Sequence, residues 1–336
     1  MDTEARKSRH LDICLEDDVA STLDAGFGAV RLQHEALPDF ALADVDCATT
    51  FLGKRLRAPL MISSMTGGTA RARDINRRLA AAAQAGGIAL ALGSGRAALE
   101  NDELLATYRV RDLAPSVVLF ANLGAVQLNY GITTDDARRL VDSLEADALY
   151  LHLNPLQEAL QPGGDTNFRG LLAKIEALCA TIGVPVFAKG VGSGISVSTA
   201  ARLLDAGVAA IDVAGAGGTS WARVEGKRSG DDTRERIAES FADWGSSTAA
   251  ATDAIRTAFP NVVLIASGGI RSGVDIAKAI AIGADMCGVA LPFLEAATAS
   301  EAATHALVDE YVTGLRIAQF ASGSQTLRAL REARTH

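Results

Sequence analysis

Residues 262–290 read VVLIASGGIRSGVDIAKAIAIGADMCGVA. A short apolar, β-branched run (Val262–Gly268) leads through two glycines into an alanine-rich amphipathic stretch (Gly273–Ile282), and a second apolar run (Met286–Ala290) follows. Short β-branched runs that alternate with helical patterns, without tight hairpin turns, indicate strand–helix–strand units and a parallel sheet. This stretch therefore predicts two parallel strands joined by a helix.

The same alternation extends back through the chain to about residue 58. The eight predicted strands are Pro59–Met65, Ile88–Ser94, Val117–Leu123, Leu149–Asn154, Val186–Val191, Ala210–Ala214, Val262–Gly268 and Met286–Ala290. The helical patterns are Ala72–Ala85, Thr134–Leu144, Phe168–Ile182, Val197–Ala206, Ser247–Phe259, Gly273–Ile282 and Glu301–Leu330. This pattern predicts an α/β fold, a (β/α)8 TIM barrel over residues 58–336, with residues 1–57 as an N-terminal extension.

A doubly wound open sheet is the alternative fold, but such a sheet would usually show fewer strands and one glycine-rich phosphate loop after the first. Between the sixth strand and its helix, residues 219–243 form a long polar insert that contains the run KRSGDDTRER. We predict that this insert is a mobile loop beside the functional site.

Polar or glycine residues follow the predicted strands, at the end of a barrel where active sites lie. SMTGG (64–68) follows the first strand, and AGAGGTS (214–220) follows the sixth. On the fourth strand, side-chain alternation turns Tyr150, His152 and Asn154 into the barrel mouth and the leucines between them toward the helices. Because packing hardly explains a ring of polar side chains, we predict the site at this mouth.

Composition excludes several classes of protein. The chain has 32 Lys and Arg against 40 Asp and Glu, a net charge of −8, which argues against a general nucleic-acid binder. The longest charge-free run, residues 113–134, contains a proline and amide side chains, and the N-terminus has no apolar signal region. The four cysteines have neither paired spacing nor a CxxC motif, so neither disulfides nor zinc are expected. We predict a cytoplasmic protein with no membrane or nucleic-acid partner.

Two features indicate an anionic or aromatic ligand at the mouth. The sequence SGGIR (267–271) closes the seventh strand, where glycines let backbone N–H groups approach a phosphate. Lys189 ends an apolar strand, where an unpaired ammonium would be costly. We expect its ammonium to contact an anion or an electron-rich ring, and a flavin is a ligand of this kind. For SGGIR, the alternative is a tight turn that needs glycine for its backbone angles. For Lys189, the alternative is a salt bridge to a neighbouring carboxylate.

HLNPLQE (152–158) places a histidine, an amide and a carboxylate within seven residues. Glu158 offers a hard oxygen ligand of the kind Mg²⁺ prefers. The N-terminal RKSRH contributes Arg6, Lys7 and His10. A basic arm near a Mg²⁺-type carboxylate, in an acidic chain, indicates a polyanionic substrate such as a diphosphate. A solvated tail is the alternative for the arm.

With these motifs the sequence resembles the type 2 isopentenyl diphosphate isomerases, which are FMN-dependent barrels. The resemblance covers nearly the whole chain, and HLNPLQE together with GGTSW (217–221) is its most specific part. The other matching motifs are RKxxH (6–10), MTGG (65–68), GS (93–94) with Arg96, ANLG (121–124), Gly164-Asp165 with Phe168, AKGVGxG (188–194) and SGGIRSGxDxAKAIAxGA (267–284).

The resemblance implies a role for each matching residue. FMN is expected at Ser64, Met65, Thr66, Ser94, Asn122, Lys189, Thr219, Gly268, Gly269, Arg271, Ala290 and Leu291. The diphosphate substrate is expected at Arg6, Lys7, His10, Ser94, Arg96, His152, Asn154 and Gln157. Gln157 is the expected catalytic residue, and Glu158 the expected Mg²⁺ ligand. The sequence departs from the family at Gly95, Gly163 and Leu291, where other residue types are usual.

The implied reaction moves a carbon–carbon double bond of a five-carbon diphosphate, with reduced FMN as acid–base catalyst and NADPH only as its reductant. The resemblance also implies a homo-oligomer, a tetramer or octamer. An FMN-dependent 2-hydroxy-acid oxidase is the nearest rival, but the loop AGAGGTSWARV (214–224) lacks the histidine base of those enzymes. A barrel that only stores or senses flavin is the non-catalytic alternative.

Overall fold

In the computed structural model, which describes residues 3–335, eight parallel strands close into a barrel, as predicted. The barrel strands are β4 Leu60–Ile62, β5 Ala89–Ala91, β6 Leu119–Gly124, β7 Ala148–His152, β8 Val186–Lys189, β9 Ala210–Asp212, β10 Val263–Ser267 and β11 Met286–Val289. They pair in chain order, and β11 pairs with β4 to close the ring. Two short antiparallel pairs lie outside it: β1 Arg31–Leu32 with β12 Arg334–Thr335, and β2 Thr49–Phe51 with β3 Lys54–Leu56.

Helices surround the barrel. They are α1 Thr3–Glu16, α2 Ala70–Gly86, α3 Arg96–Glu100, α4 Thr134–Leu144, α5 Pro155–Leu160, α6 Leu171–Thr181, α7 Val197–Asp205, α8 Trp221–Ser229, α9 Asp232–Glu239, α10 Thr248–Ala258, α11 Gly273–Ala281, α12 Leu291–Ala299, α13 Glu301–Ala321 and α14 Leu327–Glu332. Short 3-10 turns occur at Leu42–Asp44, Asp102–Thr107 and Ala125–Asn129. None of these described helices is both long and apolar enough to cross a membrane.

Local sequence explains the helix ends. Thr133 caps α4 by accepting from the Asp136 N–H, and the Asp136 carboxylate accepts in return from the Thr133 N–H, which is a capping box. Ser272 caps α11 in the ordinary way, since its hydroxyl accepts from the Asp275 N–H. Polar caps of this kind recur at several outer helices and fix where each strand-to-helix turn ends.

Two predictions about helices were wrong. Residues 219–243 contain α8 and α9 rather than a mobile loop, because Ser220 and Asp231 cap two helices that bury Val224 and Ala238. The charged run seen in the sequence is largely the exposed face of these helices. The helical pattern Glu301–Leu330 is broken into α13 and α14, because Gly323 adopts a left-handed φ of +69° and ends the first helix.

The barrel interior is filled by side chains, with aromatic rings at its centre. Phe120 stacks on Tyr150 with ring centroids 4.6 Å apart, and Phe187 packs edge-on to both. Phe51 of the β2–β3 hairpin joins this cluster from the amino-terminal ends of the strands. At the same end, Lys54 donates a hydrogen bond to Asp147, which lies just before β7. The hairpin therefore closes one end of the barrel and leaves the opposite, carboxyl-terminal end for the site.

The predicted alternation on β7 is confirmed. Leu149 and Leu151 pack with the surrounding helices, whereas Tyr150 belongs to the interior cluster. Across the sheet, His152 is in register with Lys189 of β8, and Lys189 with Asp212 of β9. Three polar residues therefore form one row at the open end. The division of the chain at residue 58 stays a prediction, and residues 1, 2 and 336, which the two predicted domains include, lie outside the described residues.

Candidate functional site

One cleft lies at the carboxyl-terminal ends of the barrel strands, where the polar strand ends meet. The residues predicted for the site that line it are Arg6, Lys7, His10, Ser64, Met65, Thr66, Ser94, Arg96, Asn122, His152, Asn154, Gln157, Glu158, Lys189, Thr219, Gly268, Gly269, Arg271, Ala290 and Leu291. The fold therefore brings every residue predicted for the site into this cleft. Their individual roles stay predictions.

A buried ion pair lies at the base of the cleft. Lys189 Nζ donates to Asp212 Oδ2 at 3.1 Å and to Ser267 Oγ at 3.0 Å, and Ser267 Oγ donates to Asp212 Oδ1 at 2.6 Å. Asp212 is fully buried, and Lys189 is 8% exposed. The salt bridge that sequence reasoning left open for Lys189 is therefore present, and the lysine still lines the cleft. We call Lys189, Asp212 and Ser267 the lysine triad.

His152 is held as a neutral imidazole. Its Nδ1 lies 2.8 Å from Asn122 Oδ1, while Asn122 Nδ2 donates to Ser64 Oγ at 2.9 Å. Because an amide oxygen only accepts, Nδ1 carries the proton and Nε2 presents a lone pair. Burial, with the nearby charges of Lys189 and Lys7, lowers the pKa of His152 to about 4. The imidazole is thus uncharged near neutral pH and a weak base.

Gln157 is fixed at both ends of its amide. Its Nε2 donates to Glu225 Oε1 at 3.0 Å, and its Oε1 accepts from Asn154 Nδ2 at 3.1 Å. The fully buried Glu225 also lies 3.0 Å from His10 Nε2 and accepts from Arg228 Nε at 2.7 Å. Burial alone would raise the pKa of Glu225, but these partners outweigh burial and hold its pKa below the ordinary value. An ionised carboxylate therefore orients Gln157.

Glu158 lies in the first turn of α5 and is 7% exposed. Its Oε1 accepts from Asn154 Nδ2 at 2.9 Å, and its Oε2 accepts from Gln161 Nε2 at 3.2 Å and from the Asp165 N–H at 2.7 Å. Within residues 3–335, no group of three or more His, Cys, Asp or Glu side chains is arranged to hold a metal. A cation here would have one protein carboxylate and would need other oxygen ligands, which is how Mg²⁺ commonly binds with substrate phosphates. Asn154 Oδ1 is a buried acceptor without a hydrogen-bond partner in the described part of the chain.

Helix α1 brings two cations over the cleft. Lys7 Nζ donates to the Ser94 carbonyl at 2.9 Å and to the Tyr108 hydroxyl, which itself donates to the Ser94 carbonyl at 2.7 Å. Burial, together with the charges of Arg6 and Arg96, lowers the pKa of Lys7 to about 7. Burial and Arg96 likewise lower the pKa of Arg6. Like charges are thus crowded together, an arrangement that a bound anion would relieve.

Arg96 opens α3 and connects this cationic region to the α5 side of the cleft. Its guanidinium donates to Asp165 Oδ2 at 2.6 Å and to Glu100 Oε1 at 2.7 Å. Burial opposes the charge on Arg96, but the hydrogen bonds that it donates to these two carboxylates raise its pKa above the ordinary value. Arg96 is therefore a fixed cation at the edge of the cleft.

Two glycines shape the turn after β10. Gly268 and Gly269 have φ of +102° and +73°, and a Cβ on either would lie 2.1 Å and 2.5 Å from carbonyl oxygens of the loop after β9. Only glycine fits at both positions. Nearby, α12 begins directly after β11, and its N-cap residue Ala290 supplies no side-chain hydrogen bond. Pro292 has no N–H, and the N–H groups of Phe293 and Leu294 donate to the Ala290 carbonyl, so in this first turn the Leu291 N–H remains to face an anion such as phosphate.

The three departures from the resembling family have different settings. A Cβ on Gly95 would lie 2.5 Å from the Leu140 side chain of α4, so glycine lets α3 and α4 pack closely. Gly163 has φ of +72° with open space around it. Leu291, the first residue of α12, lines the cleft. Its backbone N–H stays at the helix end, so the larger side chain does not remove the anion-binding geometry there.

Sequence reasoning missed several polar residues of this region: Ser63, Gln127, Gln161 and Ser267 line the cleft, and Asp212, Glu225 and Tyr108 lie behind its lining. Asp212 could have been found, because Ile211 and Val213 pack toward the helices and alternation then turns Asp212 inward. Glu225 lies in the segment predicted to be a loop, so its burial had no signal. Tyr108 follows a 3-10 turn, and nothing in its sequence neighbourhood indicates that its hydroxyl meets Lys7.

Known proteins resemble this chain over nearly its full length. The sequence model of the family described as FMN-dependent dehydrogenase matches residues 13–107 and 147–335. An isopentenyl-diphosphate delta-isomerase of Nostoc sp. is 51% identical over 332 residues, which cover 98% of this chain and 95% of the relative. The enzyme of the same name from Stutzerimonas stutzeri is 55% identical over 333 residues, covering 98% of this chain and 96% of its own.

Among solved structures, a mandelate oxidase variant with a monooxide FMN adduct superposes with a TM-score of 0.67. It is 19% identical, and the match covers 99% of this chain and 92% of the oxidase. Mandelate oxidase with 3,3-difluoro-2-hydroxy-3-phenylpropionic acid gives a TM-score of 0.65 at 20% identity, over 99% of this chain and 96% of the other. At this identity the likeness establishes the barrel fold alone.

Proposed function

Because the chain belongs to the FMN-dependent dehydrogenase family and, within it, to the type 2 isopentenyl-diphosphate delta-isomerases, we propose that its cleft interconverts isopentenyl and dimethylallyl diphosphate without net oxidation or reduction. One observation carries the proposal. Gln157 and Glu158 of α5 and Lys189 of β8 line the same cleft as the basic Arg6–Lys7 pair of α1.

The phosphate of FMN and the polar edge of its ring fit the β8–β11 side of the cleft. The paired glycines after β10 and the uncapped start of α12 suit its phosphate, and the lysine triad suits the polar edge of its ring. The residues that would hold it are Ser64, Met65, Thr66, Ser94, Asn122, Lys189, Thr219, Gly268, Gly269, Arg271, Ala290 and Leu291. When bound and reduced, FMN supplies an electron-rich ring and a protonatable nitrogen. NADPH is needed only as the reductant.

The diphosphate fits the opposite side. Arg6, Lys7 and Arg96 supply cations there, and burial, together with neighbouring cations, lowers the pKa of Arg6 and of Lys7. A bound diphosphate would raise both pKa values and hold these cations in their charged state. Mg²⁺ would be held by Glu158 together with phosphate oxygens, since the hydrogen bonds that this buried carboxylate accepts come from neutral amide and backbone N–H groups. The charge of Arg6 lies close enough to Glu158 for the two to attract each other.

The reaction needs a proton on the terminal CH₂ carbon and the loss of one from the carbon next to the one that bears the diphosphate. The double bond moves by one position, and no electrons are gained or lost. Gln157 cannot act as a strong base, but its amide, fixed by Glu225 and Asn154, can position the reacting end of the substrate. The cations of the diphosphate side hold the charged tail so that the apolar end lies against the flavin side. These residues bind, orient and exclude water.

Oxidation of a 2-hydroxy acid, the rival chemistry, needs a histidine base beside the flavin. His152 donates its Nδ1–H to Asn122 Oδ1, and its pKa of about 4 makes it a weak base. His10 contacts Glu225, away from the lysine triad. This setting favours isomerisation over hydroxy-acid oxidation. The cytoplasmic location and the tetrameric or octameric assembly stay predictions.

An anaerobic assay tests the proposal. The purified chain is incubated with isopentenyl diphosphate, FMN, NADPH and Mg²⁺, and dimethylallyl diphosphate is measured. Product is expected with catalytic FMN and without stoichiometric consumption of NADPH. Reduction of a dye acceptor by lactate or glycolate, with no isomerisation, would overturn the proposal, and so would a chain that takes up no FMN.

A further inference from the structure

Lys189 does not face the cleft as a lone cation. Its ammonium is 3.1 Å from Asp212 Oδ2, and Ser267 Oγ connects the two side chains with bonds of 3.0 Å to Lys189 and 2.6 Å to Asp212. The ammonium also lies 5.9 Å from the ring centroid of Tyr150, beneath it in the barrel. Each polar group of the triad therefore has at least two defined contacts, and the position of Lys189 Nζ is set by them.

The barrel register produces this arrangement. Lys189 and Asp212 are direct partners across β8 and β9, so their side chains point to the same face of the sheet. Asp212 lies deeper, with 0% exposure, and Lys189 covers it from the cleft side with 8% exposure. A carboxylate that is removed from water in this way acts over several ångströms, because the surroundings screen it weakly.

The charges of the triad cancel. A bare ammonium at the base of the cleft would favour an anionic ligand strongly, whereas an ammonium paired with a carboxylate favours it much less. A flavin ring is neutral when oxidised and gains negative charge on reduction. The equilibrium between oxidised and reduced flavin therefore depends on whether the charge of Lys189 is neutralised by the Asp212 carboxylate.

We infer that Asp212 is a positioning residue for FMN chemistry: through its contacts with Lys189 and Ser267 it sets both the place and the net charge that Lys189 presents to the flavin. The inference rests on the proposed FMN cofactor. Asp212 does not contact the cleft itself, since Lys189 lies between them. Its effect is expected on the equilibrium between oxidised and reduced FMN rather than on substrate binding.

The test measures the midpoint potential of bound FMN by dye equilibration in four forms: wild type, Asp212→Asn, Lys189→Met and the double variant Lys189→Met/Asp212→Asn. In Asp212→Asn the ammonium is uncompensated, so the affinity for reduced over oxidised FMN should rise at least tenfold, which is about 30 mV for a two-electron couple. Lys189→Met should shift the ratio at least tenfold the other way. The double variant should return to within threefold of wild type, because its site is again neutral.

The double variant keeps the test decisive even where Asp212→Asn fails to fold, since removing both charges of a buried pair is better tolerated than removing one. If Asp212 has only a structural role, the double variant will match Lys189→Met, and the inference is overturned. Ser267→Ala is the matched control, because it removes a hydrogen bond without changing charge, and it should move the ratio less than threefold. A shift as large as that of Asp212→Asn would assign the effect to the hydroxyl and overturn the charge role.

These outcomes are separate from those of the proposed function. A wild-type chain that binds no FMN would remove the basis for both. A chain that binds FMN and isomerises, but whose potential is unchanged in Asp212→Asn, would overturn the role of Asp212 alone.

Discussion

The two sides of the cleft balance charge in opposite ways. On the flavin side, the lysine triad matches the ammonium of Lys189 with Asp212 at 3.1 Å. On the diphosphate side, formed by Arg6, Lys7 and Arg96, burial and neighbouring cations lower the pKa of Arg6 and of Lys7, and Lys7 donates to two neutral oxygens. Among the described contacts, Arg96 alone of the three is paired there with carboxylates, those of Glu100 and Asp165. The flavin side is thus electrostatically complete before any ligand binds. On the diphosphate side, the repulsion between the crowded cations Arg6 and Lys7 is relieved only when an anion binds.

The two sides also differ in how the chain builds them. The lysine triad lies on three barrel strands, whose register fixes every distance. The diphosphate side joins helix α1 to the loop after β5 and the short helix α3 that follows it, two parts of the chain that are about 80 residues apart. The lysine triad, on rigid barrel strands, is suited to a cofactor that stays bound. The diphosphate side, built from a helix and a loop, is suited to a substrate that enters and leaves.

The largest effect is expected at Gln157, which lines the same cleft as both sides. Gln157→Ala should lower kcat roughly 100- to 1000-fold, the range found when one pre-positioned hydrogen-bonding group is removed from an active site. The KM for isopentenyl diphosphate and the FMN spectrum should change little, because neither side loses a charge. Steady-state assays under anaerobic conditions measure both. Gln84→Ala, on the outer face of α2, is the control, and a raised KM with normal kcat would instead place Gln157 among the diphosphate ligands.

Lys7 tests whether the diphosphate side needs its cations charged. In the free enzyme its pKa is about 7, so the ammonium is present below pH 7 and is lost above it. We therefore expect kcat/KM to fall as pH rises above 7, and Lys7→Met to lower kcat/KM at pH 6 by roughly 10- to 100-fold, as for a lost hydrogen bond to a charged group.

The pH profile supplies the control for that prediction. In Lys7→Met the fall above pH 7 should disappear, and in Lys7→Arg it should move to higher pH, because a guanidinium keeps its proton. A wild-type kcat/KM that stays level from pH 6 to pH 9 would show that Lys7 does not carry the charge that binds the diphosphate.

Glu158 sharpens the comparison by separating the metal from the flavin. Glu158→Gln should raise the Mg²⁺ concentration for half-maximal activity at least about tenfold. FMN content should be unchanged, since Glu158 contacts Asn154, Gln161 and the Asp165 N–H rather than the lysine triad. A magnesium titration and an absorbance spectrum measure the two effects, with the exposed Glu176→Gln as the matched variant. Loss of FMN from Glu158→Gln would contradict the division into two sides.

Much of the flavin side was predictable from sequence because its positions follow from strand period. Runs such as Val263–Ser267 are β-branched and short, and alternation correctly turned Tyr150 and His152 into the barrel. What the sequence could not supply was the partner of Lys189. That partner depends on which residue of β9 stands beside β8, and register across strands is a property of the closed barrel.

The diphosphate side was predicted as a set of residues through a family resemblance, but not as a structure. Arg6 and Lys7 were expected on an arm, and they lie on α1, whose polar composition gives no strong helical period. Glu225 was hidden in a charged insert, where two capped helices bury it between His10 and Arg228. Contacts between segments so distant in sequence leave no local pattern to read.

The smallest effect is expected at Tyr108, which shows how Lys7 of the diphosphate side is held by neutral oxygens. Its ring fills the space beside Gly67, where a Cβ would lie 1.9 Å from it, and its hydroxyl lies between Lys7 and the Ser94 carbonyl. Tyr108→Phe removes that hydroxyl and should raise the KM for isopentenyl diphosphate roughly 2- to 12-fold, the value of one neutral hydrogen bond. Because the reacting end is untouched, kcat and the FMN potential should stay at wild-type values. Tyr130→Phe, which also removes a bonded hydroxyl but lies outside the cleft, should change none of these. A fall in kcat without a change in KM would mean that Tyr108 serves the flavin side instead, and that Lys7 is positioned by the fold of α1 alone.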